Sequence, residues 1–375
     1  MLRIEDLSFW EKSAYFEKID FLIVGSGIVG MSTALFLRKK YTRAKIVIIE
    51  RGYLPTGASS KNAGFTCFGS PTELYDDLKN IKEKEVWDTF SNRYNGLKCL
   101  FELIPPNAID YVSCNSWDLI ESNVKNEIDS TFIEYINRKA REITEVDQVY
   151  FEDQNAAKRF GFDNIQTSYC NKLEGAINTG MLIQAMHKKT MEANIQVVFG
   201  VEALSMDSNS QGVELQTNQG LMNASNCIIA TNGFAKKWIE DDIHPARAQV
   251  LVTNEIDNLR VKGTFHYQKG YYYFRNIGNR ILLGGGRNLD FKGETTESFE
   301  TTPHIQKKLE ELMRSTIIPD HEFSIAYSWS GIMGVGNTKN PIVKMLNKNT
   351  AIGVKLGGMG VALGSQVGKS LANYF

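Results

Sequence analysis

Asp20 to Leu37 reads DFLIVGSGIVGMSTALFL, one aspartate followed by seventeen uncharged residues. A run of that length is close to what a helix needs to span a bilayer, but its internal order points elsewhere. FLIV is a short apolar run of the kind buried in a parallel sheet. It meets Gly25-Ser26-Gly27-Ile28-Val29-Gly30, a G-x-G-x-x-G match. Small and apolar residues continue through Ala34, Leu35 and Leu37 to Arg38, Lys39 and Lys40, cations suited to the negative end of a helix. Lys45 to Glu50, KIVIIE, is then a second buried strand, ending in an acid twenty positions after Gly30. At that spacing a carboxylate accepts hydrogen bonds from an adenosine ribose, and it selects a ribose lacking a 2′-phosphate. The glycines let the backbone approach a pyrophosphate at the positive end of the helix. Strand, turn, helix, strand and acid together predict a dinucleotide-binding unit rather than a membrane span.

The rest of the composition agrees with a globular protein. At 375 residues the chain exceeds the roughly 250 to 300 at which one core stops growing, so two domains are expected. With 42 basic and 43 acidic residues, neither a nucleic-acid surface nor a disordered tail is indicated. Cys67, Cys99, Cys114, Cys170 and Cys227 are widely spaced, and His187, His244, His266, His304 and His321 show no H-x-x-x-H spacing. Neither a disulfide framework nor a metal site is expected, and a reducing cytoplasm fits. The N-terminus mixes acids and bases before any apolar run, unlike a signal peptide.

After Glu50 the chain reads RGYLPTGASSKNAGF, where Gly57-Ala58-Ser59-Ser60-Lys61-Asn62-Ala63-Gly64 offers hydroxyl, amide and cationic donors to phosphate and to a polar ring edge. This segment resembles the G-A-S-x-x-N-x-G of flavin oxidoreductases in the D-amino-acid oxidase superfamily. Further matches follow in order: Gly175 to Leu204, ASNCIIATNGFA (Ala224 to Ala235), HPARAQVLVT (His244 to Thr253), GYYYFRNIGNRILLGGGR (Gly270 to Arg287), Tyr327 to Val343, and KLGGMGVALGSQVGKSLA (Lys355 to Ala372). The resemblance covers nearly the whole chain except roughly residues 80 to 150. It implies an α/β fold, α+β overall: a Rossmann-like FAD-binding domain (1–79, 150–243 and 323–375) and a substrate domain on a mainly antiparallel sheet (80–149 and 244–322). It also implies FAD, bound by Gly25, Ser26, Gly27, Ile28, Gly30, Glu50 and Arg51, then by Ala58, Ser59, Lys61, Asn62, Ala63 and Gly64. Val201 near the adenine, Thr231 and Gly233 in the A-T-x-G turn, and Gly331, Gly357, Gly358, Met359, Gly360 and Val361 at the flavin complete the set.

Around these matches the pattern is readable directly. Val201 to Ala224 alternates apolar and polar residues about Gly212 and Gly220, an antiparallel meander. Ser70-Pro71-Thr72-Glu73 is a capping box opening a charged helix, and further helical pattern surrounds Phe132 to Ile143.

Members of the superfamily usually take hydride from a carbon bearing nitrogen, so the resemblance implies an amine or amino-acid-like substrate, with oxygen or another electron acceptor. The pocket candidates are Tyr272, Tyr273, Arg275, Trp329, Met333 and Met359, with Tyr272, Arg275, Trp329 and Met333 nearest the chemistry. Glycine-oxidase-type members place a carboxylate-clamping arginine where Met333 stands, and a thioether lacks its bidentate donors. Sarcosine oxidases use a lysine at the position of Ala362 and attach flavin to a cysteine. SWSGIMGVGN contains no cysteine, so non-covalent FAD is expected. The lysine that promotes oxygen reaction in some relatives is replaced by Leu282, which leaves oxidase against dehydrogenase open. The Y-Y-F-R-x-x-x-N-R-x-L-x-G-G-G and Trp-x-Gly patterns are most similar to gamma-glutamylputrescine oxidase and its relatives, with Arg275 available for a distal carboxylate. The alternatives are a 2-hydroxy-acid dehydrogenase, a tRNA-modifying oxidase domain, a nicotinamide dehydrogenase using the first motif alone, and a non-catalytic flavoprotein subunit.

Overall fold

The computed structural model describes residues 3–124, 126–209 and 211–375; Ser210, in the turn of the expected meander, and Met1 and Leu2 of the N-terminal reading lie outside them. Two eight-stranded sheets organise the chain. The first has a parallel centre, in spatial order Thr350–Val354, Gly220–Ile229, Ile19–Val24, Ile46–Glu50 and Gln196–Phe199, with Ile342–Asn347 antiparallel at one edge. Ile19–Val24 is central and its six residues are almost wholly buried, which is why FLIV carries no alternation. The meander strands Ala203–Asn209 and Gly212–Thr217 pair antiparallel beside Gly220–Ile229, whose far end runs on into the parallel core.

The helix Ile28–Lys40 follows the first turn, with nine of its thirteen residues buried. It is apolar all round because it is covered on several sides, by the sheet, by Gly360–Ala372 and by Thr179–Glu192. The Arg38 guanidinium closes its C-terminal end, donating to the carbonyls of Tyr41, Thr42, Ala193 and Asn194.

The second sheet runs Ile325–Val335, His244–Thr253, Arg280–Gly285, Tyr272–Ile277, Thr264–Tyr267, Ser116–Glu121, Ile165–Asn171 and Tyr150–Glu152. All its pairings are antiparallel except Thr264–Tyr267 with Ser116–Glu121. Three of its strands, at 150–152, 165–171 and 325–335, fall in segments that the sequence division placed with the nucleotide domain. Sequence matches to a nucleotide site cannot distinguish a strand that flanks the site from one that belongs to its sheet.

Between the sheets, Pro71–Asn80 starts as its sequence suggests, with Ser70 Oγ accepting from the Glu73 amide at 3.3 Å. Only half of the capping box forms, because the Glu73 carboxylate turns to Arg93 and Lys339 instead. A second helix spans Ser130–Thr144, capped by Asp129.

Candidate active site

The carboxyl ends of the parallel strands converge where the order reverses on either side of Ile19–Val24, the position at which open α/β sheets bind ligands. Val24 leads into Gly25, whose φ of +108° lies in the region that only glycine adopts freely. Its amide donates to Ile49 O at 2.8 Å, binding the turn to the neighbouring strand. A Cβ on Gly30 would meet Gly25 O at 1.9 Å, so the third glycine is demanded by the turn's own backbone. Glu50 is 8 % exposed at the next strand end. One carboxylate oxygen accepts from the Ser26 amide and hydroxyl at 3.1 and 2.9 Å, the other from the Gly52 amide at 3.1 Å. The acid thus already shapes the turn that faces the crevice. Arg51 is exposed, its guanidinium over the Phe234 ring. Val201 is buried and its amide donates to Glu50 O at 3.0 Å, so only its carbonyl and side chain remain for an adenine.

The loop from Gly57 to Gly64 crosses this turn. Ser59 Oγ accepts from the Ile28 amide at 3.0 Å, capping the first helix from outside its own segment. Asn62 is wholly engaged in the loop: its Nδ2 donates to the carbonyls of Ala58 and Ser59, and its Oδ1 accepts from the Gly64 amide and Thr179 Oγ1. Thr179 escaped the sequence reading, although it stands in the matched segment after Gly175. Lys61 O accepts from Trp329 Nε1 at 3.0 Å, and a Cβ on Gly331 would meet Lys61 Cβ at 3.1 Å. The loop therefore lies directly on the edge strand of the second sheet.

On the remaining side, Thr231 Oγ1 is buried with no hydrogen-bond partner among the described residues. A Cβ on Gly233 would strike Met333 O at 2.5 Å, and one on Gly358 would meet Met333 Sδ at 3.2 Å. Met333 thus packs between the A-T-x-G turn and the C-terminal glycines. Met359 precedes the helix Gly360–Ala372, which has no side-chain cap. A Cβ on Gly364 would meet Ile28 and one on Gly368 would meet Ser32, so this helix and Ile28–Lys40 run side by side with their positive ends at the same end, an arrangement suited to anionic groups. A glycine turn with no room for a Cβ, two helix N-termini and an orphaned threonine hydroxyl together suit a phosphorylated dinucleotide.

Across from the loop, one face of the second sheet presents Val250, Val252, Leu282, Tyr273 and Trp329, packed with Ala63 and Phe65. Strand alternation corrects one expectation. Tyr272 and Phe274 point to the opposite face, into the core with Leu251 and Leu283, and Tyr272 is 3 % exposed. Tyr273 and Arg275 are the residues that face the loop. Tyr273 lies over Gly284, where a Cβ would meet its ring at 2.6 Å, and edge-on to Phe65. Burial pushes its phenol up to about 12, so it stays protonated. Arg275 Nη1 donates to the carbonyls of Ala63, Gly64 and Ile177 at 3.3, 3.1 and 2.8 Å, and Nε to Asn276 O. Burial disfavours its charge, and its hydrogen bonds among the described residues run from Nη1 and Nε to main-chain carbonyls, none from Nη2 and none to a carboxylate.

The family described as FAD dependent oxidoreductase, DAO, matches residues 20–374. The chain belongs to that family. This FAD-dependent oxidoreductase is similar to the probable oxidoreductase OrdL of Rhizobium meliloti (strain 1021), 21% identical over 372 residues that cover 95% of this chain and 82% of the relative. Its fold is similar to L-proline dehydrogenase from P. horikoshii, with a TM-score of 0.74 at 15% identity, covering 95% of this chain and 93% of the other. It is equally similar to glycine oxidase from Bacillus cereus ATCC 14579, with a TM-score of 0.74 at 16% identity, covering 95% and 94%.

Arg247 and Gln249 of the HPARAQ motif point away from the loop face, to Glu294. Glu294 itself carried no sequence signal. This buried group, with Gln249 reaching Thr302, holds the segment 287–302, whose Phe299 lies 5.3 Å beneath Lys61 Nζ. A separate cavity of about 780 Å³, lined by Cys114, Trp117, Arg159, Phe160 and Lys262 among others, includes none of the predicted site residues. No group of three or more His, Cys, Asp or Glu among the described residues is placed to hold a metal, and no helix among them is long and apolar enough to cross a membrane.

Proposed function

We propose that this FAD-dependent oxidoreductase oxidises a C–N bond of an amine or amino-acid-like substrate to an imine, in the space between the 57–64 loop and the second sheet. The observation that carries this reading is the loop-facing surface itself: apolar and aromatic side chains beside an arginine that lacks a carboxylate and has Nη2 unbonded. FAD supplies the acceptor of the hydride that leaves the carbon bearing nitrogen. The apolar wall disfavours an ammonium and so favours the neutral amine that the reaction needs. Arg275 Nη2 binds a substrate carboxylate while Nη1 keeps the loop in place, and Tyr273 donates its hydroxyl to the substrate. Trp329 and Met333 fix the depth of the site, and Met333 makes a distal carboxylate a better fit than a simple α-amino acid. The proteins of similar fold named for proline and glycine act on substrates that carry both an amine nitrogen and a carboxylate, in keeping with the broader class.

The first turn, Glu50 and the 57–64 loop bind the non-covalent FAD in this reading, and the second sheet forms the substrate half. Purified holoprotein mixed anaerobically with a panel of amines, amino acids and N-acylated diamines tests it. Bleaching of the flavin by members carrying a distal carboxylate is expected, and no bleaching by any member would refute it. Reoxidation in air no faster than that of free flavin would identify a dehydrogenase.

A further inference from the structure

The loop-facing surface of the second sheet continues past Tyr273 into an enclosed group of polar side chains. The strand register lays it out. Tyr273 pairs with His266, His266 lies beside Asp118, and Thr264 lies beside Ser116, which pairs with Asn171. The ribbon of Phe65–Thr66 with Gly175–Ala176 closes over them, bringing in Thr66 and Glu174. Phe65 stands edge-on to both His266 and Tyr273, with ring centroids 5.4 and 5.8 Å away.

Six side-chain atoms in this group are buried with no hydrogen-bond partner among the described residues: Thr66 Oγ1, Ser116 Oγ, Asp118 Oδ1, Asn171 Nδ2, Glu174 Oε2 and His266 Nε2. A buried polar group left unpaired is costly, and folded proteins carry only a few per hundred residues. Six in one place, mixing donors with acceptors, have the character of a site for ordered water. Each carboxylate is tied by one oxygen and open at the other. Glu174 Oε1 accepts from the amides of Phe68 and Gly69 at 2.7 and 3.2 Å, and Asp118 Oδ2 from the Thr72 amide at 2.7 Å. Glu174 Oε2 lies 3.8 Å from His266 Nε2, an ion-pair separation without a hydrogen bond.

The charged neighbours define the titration. Burial opposes charge on His266, but Cys67 and Glu174 outweigh it and hold the imidazole well above its usual range. Burial raises the Asp118 carboxyl, against the amide of Thr72 and the charge of His266. Arg93, paired with Glu73 and donating to Cys67 Sγ, adds a buried positive charge that acts on Glu174, and Tyr273 faces His266 from the next strand.

We propose that this cage is a water-filled proton relay for the substrate amine, with Asp118 as the acceptor and His266 as a positioning residue. The proposal rests on the amine reading above. A substrate arriving as ammonium must lose a proton before its carbon gives up hydride. The N–H bond breaks, its electron pair stays on nitrogen, and the proton passes by way of the Tyr273 hydroxyl and ordered water to Asp118 Oδ1, where an O–H bond forms. The His266 imidazolium orients that water through its N–H and keeps the Asp118 carboxylate available.

Two measurements on the holoprotein test this. A crystal structure that resolves water is expected to show water bonded to at least two of the six atoms; a dry cage would overturn the proposal. Anaerobic flavin reduction, followed against pH with an amine that bleaches the wild type, is expected to slow on an acid limb. Asp118→Asn and His266→Gln are each expected to move that limb to higher pH by about one unit, which is about tenfold in rate on the limb. An unchanged limb in the variants that fold removes the relay and leaves the amine reading standing. A flavin that no amine bleaches removes both.

Discussion

Gly30→Ala is the sharpest test of the dinucleotide turn. The new Cβ would lie 1.9 Å from Gly25 O, and the obstacle is backbone rather than a side chain that could swing away. Relieving it moves the Gly25 peptide by about 1 Å or more, since non-bonded carbon contacts need well over 3 Å. That peptide is held by the left-handed φ of Gly25 and by the bond from its N–H, that of Ser26, to the Glu50 carboxylate. Overpacking costs about 1–3 kcal/mol, and the lost hydrogen bond adds about 1 kcal/mol. About 3 kcal/mol falling on the bound state weakens FAD roughly 100-fold. Gly57→Ala is the control, because a Cβ there meets nothing within 4 Å. Gly27→Ala falls between the two, since its Cβ would meet the movable Ser59 Oγ at 2.7 Å. The assay is the ratio of flavin to protein absorbance after purification, followed by FAD titration of stripped protein, with melting curves of the apoproteins to separate folding from binding. Gly30→Ala protein that retains full flavin with unchanged affinity would refute the reasoning.

Three further outcomes are expected. Tyr273→Phe lowers the rate of flavin reduction and leaves the melting temperature within a few degrees, whereas Tyr272→Phe leaves reduction unchanged; the reverse pattern would show that the sheet faces are misassigned. Arg247→Met strands the Glu294 carboxylate, which is at most 2 % exposed, and costs about 3–5 kcal/mol, read as a lower melting temperature; adding Glu294→Leu restores most of it. Although burial pushes Glu73 up, Arg93 and Lys339 outweigh that and hold its carboxyl well below the usual range. A depressed carboxyl contributes stability above its unfolded value that is lost as pH falls toward the folded one. Denaturation midpoints of Glu73→Gln are therefore lower than wild type at neutral pH, and the gap closes below about pH 4.

The strand, glycine turn, helix and second strand were legible because their constraints are local. A glycine turn, the helix it opens and an acid at the next strand end lie within about thirty residues, and each step is set by backbone geometry. The two-sheet plan was legible as far as matched segments reached. Which sheet Tyr150–Glu152, Ile165–Asn171 and Ile325–Val335 join depends on hydrogen bonds to strands far away in sequence, and no local pattern encodes that. Glu294 was invisible for the same reason: a lone glutamate in a polar segment acquires meaning only when Arg247 and Gln249 arrive from 47 and 45 positions earlier.

Tyr271 to Arg275 shows where the boundary lies. Four consecutive aromatics hide the alternation that normally reports strand facing, so the sequence marks the strand but not which tyrosine meets the loop. The register decides: Arg275 opposes Leu282 and Tyr273 opposes Gly284, and both partners lie on the face that carries Val250 and Val252. The same register gives Arg275 a double position. Its Nη1 ties the carbonyls of Ala63, Gly64 and Ile177 together, so the 57–64 loop is held by a cation from the second sheet. Carbonyl oxygens are weaker partners than a carboxylate, and a buried guanidinium satisfied only by them retains affinity for an anion. Under the proposed function, loop order and carboxylate binding are thereby coupled through one side chain. Arg275→Lys, which keeps charge but loses the planar fork, is expected to raise the apparent dissociation constant of a carboxylate-bearing substrate and also to loosen FAD. A change in only one of the two would separate the roles and break the coupling.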